Sequence, residues 1–405
     1  MTCIDGWAYN LRYTKIIHAI INFTMTSEKE MRFASTLCVT HDCNLNCIYC
    51  YQKHDKAKMS LDTAIKCIDW VFDNVPLNMD GIEIDFIGGE PLLEFELIKK
   101  IVAYTCDNKR SKDYKKFIFF ATTNGTLLDD SMKKWLTDHK NCFCLGLSLD
   151  GTRGTHNFNR SNSFDHIDID YFRTMWPEQP VKMTLSEYSL YHLAENVKYL
   201  HSLGFEVRGV NLFEGDFDWD DKKYVDILIP QLKELVDFYV ENDSLPICQM
   251  FDRHLRFCES KNKERKKWCG IGTGCRFFDV DGKMYPCSFM TPMTFSEKEL
   301  FEIAHIDFAT DNDFIDEDCF NNCYIYPVCA TCAGECYLVN KSFKVRDKRR
   351  CLIQKLVALF IADLQAKRIL KNPDCLEKNQ LYPTIEAIKK IKSLYYEEYQ
   401  QYCQS

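Results

Sequence analysis

Between residues 35 and 242 the chain repeats one pattern six times: a short apolar run rich in β-branched or aromatic residues, then an amphipathic stretch with helical spacing. The short runs are Ser35–Val39, Ile82–Ile87, Phe117–Thr122, Cys144–Leu149, Val181–Leu185 and Glu206–Leu212. They are too short for buried helices, and their side chains suit a pleated surface. The stretches that follow them are Asp62–Asn74, Leu93–Asn108, Asp129–His139, Phe164–Met175, Leu190–Leu203 and Lys222–Asn242. Strand followed by helix, six times over, implies a parallel sheet with right-handed crossovers. The expected fold is α/β, a partial (β/α)6 TIM-like barrel, since six units fall short of a closed eight. Ligands of such folds gather at the C-terminal ends of the strands, so the residues just after each strand are where chemistry is expected.

The second constraint is cysteine. There are 22 among 405 residues, below the ~8–10% of short disulfide scaffolds, and with 46% hydrophobic residues the chain can build cores without staples. The apolar run Ile16–Phe23 is interrupted by His18 and Asn22 and lacks a small-residue cleavage site. No run reaches the ~18 apolar residues of a membrane span, and only two residues follow Cys403, which leaves no prenylation box. A cytoplasmic protein with reduced thiols is expected, and grouped thiols in that setting bind metal more often than they pair. The net charge of −8 argues against a nucleic-acid surface, and no membrane partner is expected.

The cysteines are not evenly spread. Cys43, Cys47 and Cys50 lie within eight residues directly after the first strand run. Nine more, Cys269, Cys275, Cys287, Cys319, Cys323, Cys329, Cys332, Cys336 and Cys351, lie between 269 and 351. The other ten are scattered, and those in apolar runs, such as Cys38 and Cys144, read as small buried hydrophobes. The charged run ESKNKERKK, Glu259–Lys267, falls where the strand–helix pattern stops and reads as a solvated linker. The expected segments are an N-terminal extension at 1–33, the partial barrel at 34–258, a linker at 259–268, a cysteine-rich domain at 269–351 and C-terminal helices at 352–405.

Cys43-Asn-Leu-Asn-Cys47-Ile-Tyr-Cys50 is a Cys-x3-Cys-x2-Cys loop. Three such thiolates can hold three corners of a cubane iron–sulfur cluster and leave one iron open; zinc is the alternative reading, though a structural zinc usually takes a fourth protein ligand. With Tyr49 before the third cysteine, this loop resembles the signature of the radical S-adenosylmethionine (SAM) enzymes. The resemblance extends to the other strand ends. Gly88-Gly89-Glu90-Pro91 is similar to that family's GGEP motif, which it implies holds the amino group of the methionine moiety. Asn124 in Thr122-Thr123-Asn124-Gly125 and Ser148 in Ser148-Leu149-Asp150-Gly151 lie in segments similar to those that line the cofactor. Ser148 and Arg160 resemble a pair that contacts ribose and carboxylate, and Leu212 is placed over the adenine, with strand core as its other reading. The asparagine–glycine and aspartate–glycine pairs also serve turns in their own right. The implied chemistry is reductive cleavage of S-adenosylmethionine to a 5′-deoxyadenosyl radical that abstracts a hydrogen atom from the substrate, with the cofactor carrying the difficult step.

Cys269-x5-Cys275-x11-Cys287, with Asp281-Gly282 read as a hairpin turn between Arg276–Val280 and Lys283–Pro286, resembles the opening of the SPASM domain, an extension that binds two auxiliary [4Fe–4S] clusters. The resemblance implies three [4Fe–4S] clusters in all. It gives Cys269, Cys275, Cys287 and Cys336 to the first auxiliary cluster, and Cys319, Cys323, Cys329 and Cys351 to the second. The spacing Cys319-x3-Cys323-x5-Cys329-x2-Cys332-x3-Cys336 departs from the commonest pattern by one residue and one cysteine, and Cys332 stands as an alternative to Cys329 or Cys336. Zinc through Cys329-x2-Cys332 is again the alternative, without a second half to complete a ribbon.

Proteins with this architecture mostly modify peptides or proteins, so the expected activity is that of a peptide-modifying maturase making an oxidative thioether or carbon–carbon crosslink, supplied by a one-electron donor such as flavodoxin or ferredoxin. The sulfatase-maturing members carry an aspartate after the third cysteine of the first auxiliary cluster; here that position is Ser288, which counts against side-chain oxidation of that kind. The 33 residues before the first strand run are short of the ~50 of an independent recognition domain, so a leader peptide is expected to use the barrel rim or the C-terminal helices. Radical dehydrogenation of a small alcohol or sugar is the alternative within the enzyme class. A non-enzymatic iron–sulfur or zinc protein has no use for Glu90, Ser148 or Arg160. No general base can be named.

Overall fold

The computed structural model describes residues 32–404 except 115, 213–218, 220, 261, 262, 264, 266, 309 and 311. The expected extension before the first strand, with its run at 16–23, lies outside the described residues. The chain forms two compact units. The first takes residues up to Leu149, Arg160–Pro180 and Cys269–Ala309; the second takes Asp150–Asn159, Val181–Trp268 and the chain from Thr310.

The first unit is built on a six-stranded sheet of β1 (Arg32–Thr40), β2 (Gly81–Gly88), β3 (Phe117–Thr123), β4 (Phe143–Leu147), β7 (Cys275–Phe278) and β8 (Met284–Tyr285), in the order β4-β3-β2-β1-β7-β8. The ladders β1–β2, β2–β3 and β3–β4 are parallel, as the strand–helix alternation requires. Helices Leu61–Asn74, Phe95–Asp107 and Asp130–Asp138 make the crossovers. Ser60 and Asp129 cap the first and third by accepting from Thr63 N at 3.1 Å and Met132 N at 2.7 Å. One face of this sheet is a continuous apolar layer, since Leu37, Ile84, Phe86, Phe119 and Phe143 share it through the ladder register and are all but fully buried, whereas β2 turns Glu83 and Asp85 to the other face. Phe86, Phe119 and Phe143 stack across three adjacent strands with interplanar angles of 8–12°.

The sequence pattern does not foresee β7. The expected hairpin forms, with β8 antiparallel to β7 and Gly282 at φ 81°, but β7 also pairs in parallel with the other edge of β1, Ala34 opposite Cys275. The strand that begins at Cys275 thus covers an edge that β1 would otherwise expose, burying Phe277 and Phe278.

In the second unit β5 (Val181–Leu185) and β6 (Val207–Leu212) form a parallel pair. Among the described residues no ladder closes the strands into a barrel. The helix Cys351–Lys371 packs against Lys222–Glu241 and Lys378–Gln404, tied at the rim by Lys367–Asp237 and Lys355–Glu398 ion pairs at 2.8 and 2.9 Å. The charged run after Glu259 is only partly a solvated strip: Arg265 is exposed and paired with Glu317, whereas Lys267 is buried with its ammonium over the Phe314 ring. No helix among the described residues is long and apolar enough to cross a membrane.

Candidate functional site

At the C-terminal end of β1 the chain enters the loop that carries Cys43, Cys47 and Cys50. His41, buried at its base, is 2.7 Å through Nε2 from Asp279 Oδ1, just after β7, and 3.2 Å through Nδ1 from Asp55 Oδ1. Burial opposes protonation of this imidazole, but the two carboxylates prevail and raise its pKa. The loop is closed by Cys50 N donating to Cys47 O at 3.1 Å and by Leu45 N donating to Cys43 Sγ at 3.5 Å; Cys50 Sγ lies 3.3 Å from His54 Nε2. Burial pushes the Cys43 thiol up to about 11; the Leu45 N–H opposes this, while Glu90, Cys47 and Cys50 add to it. A buried thiol whose ionisation neighbouring thiols disfavour is relieved by a bound cation, as a metal ligand is.

The two glycines after β2 have a steric reason. A Cβ at Gly88 would sit 2.2 Å from Thr40 O, and one at Gly89 2.4 Å from Asp42 O and 2.8 Å from Cys43 Cβ. Gly89 N and Glu90 N donate to Thr40 O and Asp42 O at 3.1 and 2.9 Å, so the turn after β2 is laced to the cysteine loop. The Glu90 side chain, 1% exposed, accepts from Leu92 N (3.1 Å), Thr123 Oγ1 (2.8 Å) and Asn124 N (2.8 Å), joining the ends of β2 and β3. Burial raises its pKa to about 7 against those hydrogen bonds and the Arg160 guanidinium. A buried carboxyl held between its two forms is suited to receive a cationic group.

The other expected residues of the first unit converge on the same strand ends. Asn124 is buried, donates to Asn44 Oδ1 at 2.9 Å and so reaches the cysteine loop, and Gly125 takes φ 78°. Ser148 is buried at the end of β4, its amide on Thr123 O at 3.0 Å. Arg160 lies 5.4 Å over the Tyr49 ring, and its charge lowers both Cys50 and Glu90 against their burial. Directly after it Ser161 and Asn162 both take left-handed backbone, φ 55° and 57°, and Ser161 Oγ accepts Asn46 N at 2.9 Å. In the second unit Asp150 is fully buried, accepting from Thr184 N (3.0 Å) and Asn159 Nδ2 (3.1 Å), and Leu212 is buried at the end of β6.

The later cysteines gather in two groups. In the first unit burial pushes Cys287 up to about 12, and Cys269 and Cys275 are the thiols acting on it. In the second unit burial raises Cys351 to about 11, with Cys329, Cys319 and Cys323 as the neighbouring thiols. No thiol is among the main influences on Cys336, which sits in the helix Ala333–Asn340 with Sγ 3.2 Å from Thr331 Oγ1; Cys332 is that helix's N-cap. Ligands of one tetrahedral zinc lie ~3.8 Å apart, given bonds of about 2.3 Å. Among the described residues the one group with three ligand atoms within 4.8 Å of one another is Cys38, His41 and Asp279, whose 2.7 Å imidazole–carboxylate contact is a hydrogen bond. Among the described residues no three thiols of the cysteine groups come within 4.8 Å of one another.

Residues 37–227 match the model of the radical SAM superfamily. The chain carries a radical SAM domain. A cysteine-type anaerobic sulfatase-maturating enzyme of Clostridium perfringens (strain 13 / Type A) is 27% identical over 329 residues, 71% of this chain and 84% of that one. The antilisterial bacteriocin subtilosin biosynthesis protein AlbA of Bacillus subtilis (strain 168) is 23% identical over 305 residues, 69% of this chain and 60% of that one. Among solved structures, native anSMEcpe with bound AdoMet and the Cp18Cys peptide superposes with a TM-score of 0.63 at 20% identity, over 85% of this chain and 100% of that chain.

The radical SAM fold binds a [4Fe–4S] cluster and S-adenosylmethionine, and the chain is accordingly an enzyme. Cys43, Cys47, Cys50, Tyr49, Gly88, Gly89, Glu90, Asn124, Ser148, Arg160 and Leu212 all fall inside the matched segment, and the nine later cysteines fall outside it. Sequence reasoning missed His41, Asn44, Ser161 and Asp279, which hold the cysteine loop in place. Asn44 and His41 stand next to the motif, but their partners lie 80 and 238 residues away, and no local pattern marks those.

Proposed function

We propose that this radical SAM enzyme oxidatively modifies a peptide or protein, forming a thioether or carbon–carbon crosslink. Cys43, Cys47 and Cys50 hold the cluster of the radical SAM domain, and Glu90, Asn124, Ser148 and Arg160 hold S-adenosylmethionine. When bound, the two together supply reductive carbon–sulfur cleavage and hydrogen-atom abstraction. The observation that carries this reading is the lacing of the cysteine loop to the glycine turn: neither Gly88 nor Gly89 leaves room for a Cβ, and Glu90, which follows them, is buried.

The chain's own groups divide the remaining work. Glu90 faces the ammonium with a carboxyl that burial has made responsive, Arg160 supplies a guanidinium for a carboxylate, and Ser148 a hydroxyl for ribose. Cys269, Cys275 and Cys287 on one side, and Cys319, Cys323, Cys329 and Cys351 on the other, serve two auxiliary [4Fe–4S] clusters. Crosslinking removes two hydrogen atoms from the peptide, so the second electron needs an acceptor, and these groups are the candidates. A flavodoxin or ferredoxin supplies the first electron, and the enzyme works in the cytoplasm.

Similarity to the sulfatase-maturating enzyme favours a second reading, oxidation of one side chain. Ser288 counts against it, because a hydroxyl at that position is a far weaker proton acceptor than a carboxylate. The test is anaerobic reconstitution, reduction and measurement of 5′-deoxyadenosine, followed by mass spectrometry of a cysteine-containing peptide encoded beside the enzyme. Release of 5′-deoxyadenosine and a peptide lighter by two hydrogens, with one thiol consumed, is expected. No release after full reduction, or oxidation confined to one side chain, contradicts the proposal.

A further inference from the structure

The four-thiol group of the second unit is set among cations. Lys348 Nζ lies 2.9 Å from Cys319 Sγ, close enough for a charge-assisted N–H···S hydrogen bond. Arg346 donates from Nη1 to Cys329 O at 3.4 Å and lies 4.1 Å over the Tyr326 ring. Arg253 donates from Nη1 to Val328 O at 3.2 Å and to Gln354 Oε1 at 2.6 Å, which fixes it behind the same turn. Both arginines act on the Cys329 thiol, lowering it against its burial. Two carboxylates face Lys348, Asp316 and Asp318, each at 3.4 Å. Asp316 is already committed as the N-cap of the helix Glu317–Asn322, accepting from Cys319 N and Arg346 N at 2.9 Å each. Three cations therefore stand against two carboxylates, and the nearest charge to a sulfur is the ammonium.

The group in the first unit has a cation beside it too: Arg276 donates from Nη1 to Cys275 O at 2.8 Å. Burial and two neighbouring thiols raise Cys287, countered by the backbone N–H groups of Met290 and Phe289. Reduction adds negative charge to an iron–sulfur cluster, so a cation and an N–H···S bond at its sulfur favour the reduced state.

We infer that Lys348 tunes the redox potential of the site formed by Cys319, Cys323, Cys329 and Cys351, holding it higher than it would otherwise be. The inference rests on the proposed reading of these cysteines as auxiliary-cluster ligands. Lys348 is a positioning residue that acts through Cys319 without touching substrate. The electron balance is simple: the site gains one electron when the substrate radical is oxidised and returns it to an external carrier of the flavodoxin or ferredoxin class.

The test is an electron-paramagnetic-resonance redox titration of the anaerobically reconstituted holoenzyme, with iron counted in each sample. Two auxiliary midpoints are expected. Lys348→Met shifts one of them down and leaves the other in place, Lys348→Arg restores much of the shift, and Asp318→Asn, on an exposed side chain, moves the same midpoint up. If Lys348→Met loses iron, the upward shift in Asp318→Asn decides the question by itself. Unmoved midpoints in iron-replete variants, or equal movement of both, overturn the inference. A wild-type enzyme with iron for a single cluster instead overturns the auxiliary-cluster reading beneath it.

Discussion

On the proposed reading, the cysteine loop of the first unit and the four-thiol group of the second would solve the same ligation problem in opposite ways. In the loop, three thiols come from eight consecutive residues, and their arrangement depends on neighbouring backbone: Gly88 and Gly89 press against Thr40 and Asp42, and Ser161 accepts Asn46 N from a left-handed turn. In the second unit the thiols come from positions 319 to 351, and short helices and their caps gather them, with Asp316 holding both Cys319 N and Arg346 N. A site built on close backbone approach is intolerant of a single added methyl, and although its thiols are close in sequence, partners as distant as Asp279 and Ser161 hold its loop. A site assembled from separate segments tolerates local change better but depends on the whole unit being folded.

The sharpest break between the two comes from Cys351→Ala. Cluster content should fall by about four irons, one cubane, and crosslinked peptide should disappear, while 5′-deoxyadenosine release persists. Equal loss of both activities would mean that the two sites are not separable. Next in size is Gly89→Ala, which forces a methyl to within 2.4 Å of Asp42 O. A cost of ~1–3 kcal/mol in urea unfolding is expected, as for overpacked cores, together with at least a tenfold fall in S-adenosylmethionine cleavage. His41→Ala leaves the buried Asp279 carboxylate without its 2.7 Å partner. A similar loss, ~1–3 kcal/mol for an unsatisfied buried group, should lower the midpoint of unfolding in urea without removing the iron of the second unit.

The smallest effect is a pH dependence confined to the first unit. Burial raises Glu90 from 4.5 to about 7, so the folded state holds its proton more tightly than the unfolded chain does. The stability of the cluster-free protein should therefore decline as pH rises from about 4.5 toward 7, and this contribution should be absent from Glu90→Gln. Thermal unfolding across that range checks it; a rise in stability attributable to Glu90 would have the wrong sign.

How much of this was legible in the sequence follows the same division. The six strand runs reappear as β1 to β6 with ends moved by up to three residues, because two-fold alternation and β-branched runs are local signals. The cysteine loop was legible from spacing, and Glu90 from its motif. What local pattern could not supply was pairing at a distance: β7 joining β1 across 240 residues, Asp279 meeting His41, and Lys348 reaching Cys319. The buried Lys267 was misjudged for a related reason, since a charged run carries no sign that one of its members packs over Phe314. Even the glycines after β2 proved to have a packing role, against the cysteine loop, that their motif does not disclose.

The most direct test of the account is to count iron by Mössbauer spectroscopy, and 5′-deoxyadenosine in parallel, for the wild-type enzyme and for the triple variant Cys43→Ala, Cys47→Ala, Cys50→Ala. The expected result is about twelve irons per chain falling to about eight, as one cubane of three is lost, with 5′-deoxyadenosine falling to background. Unchanged iron, or cleavage that survives the loss of these three thiols, would contradict it.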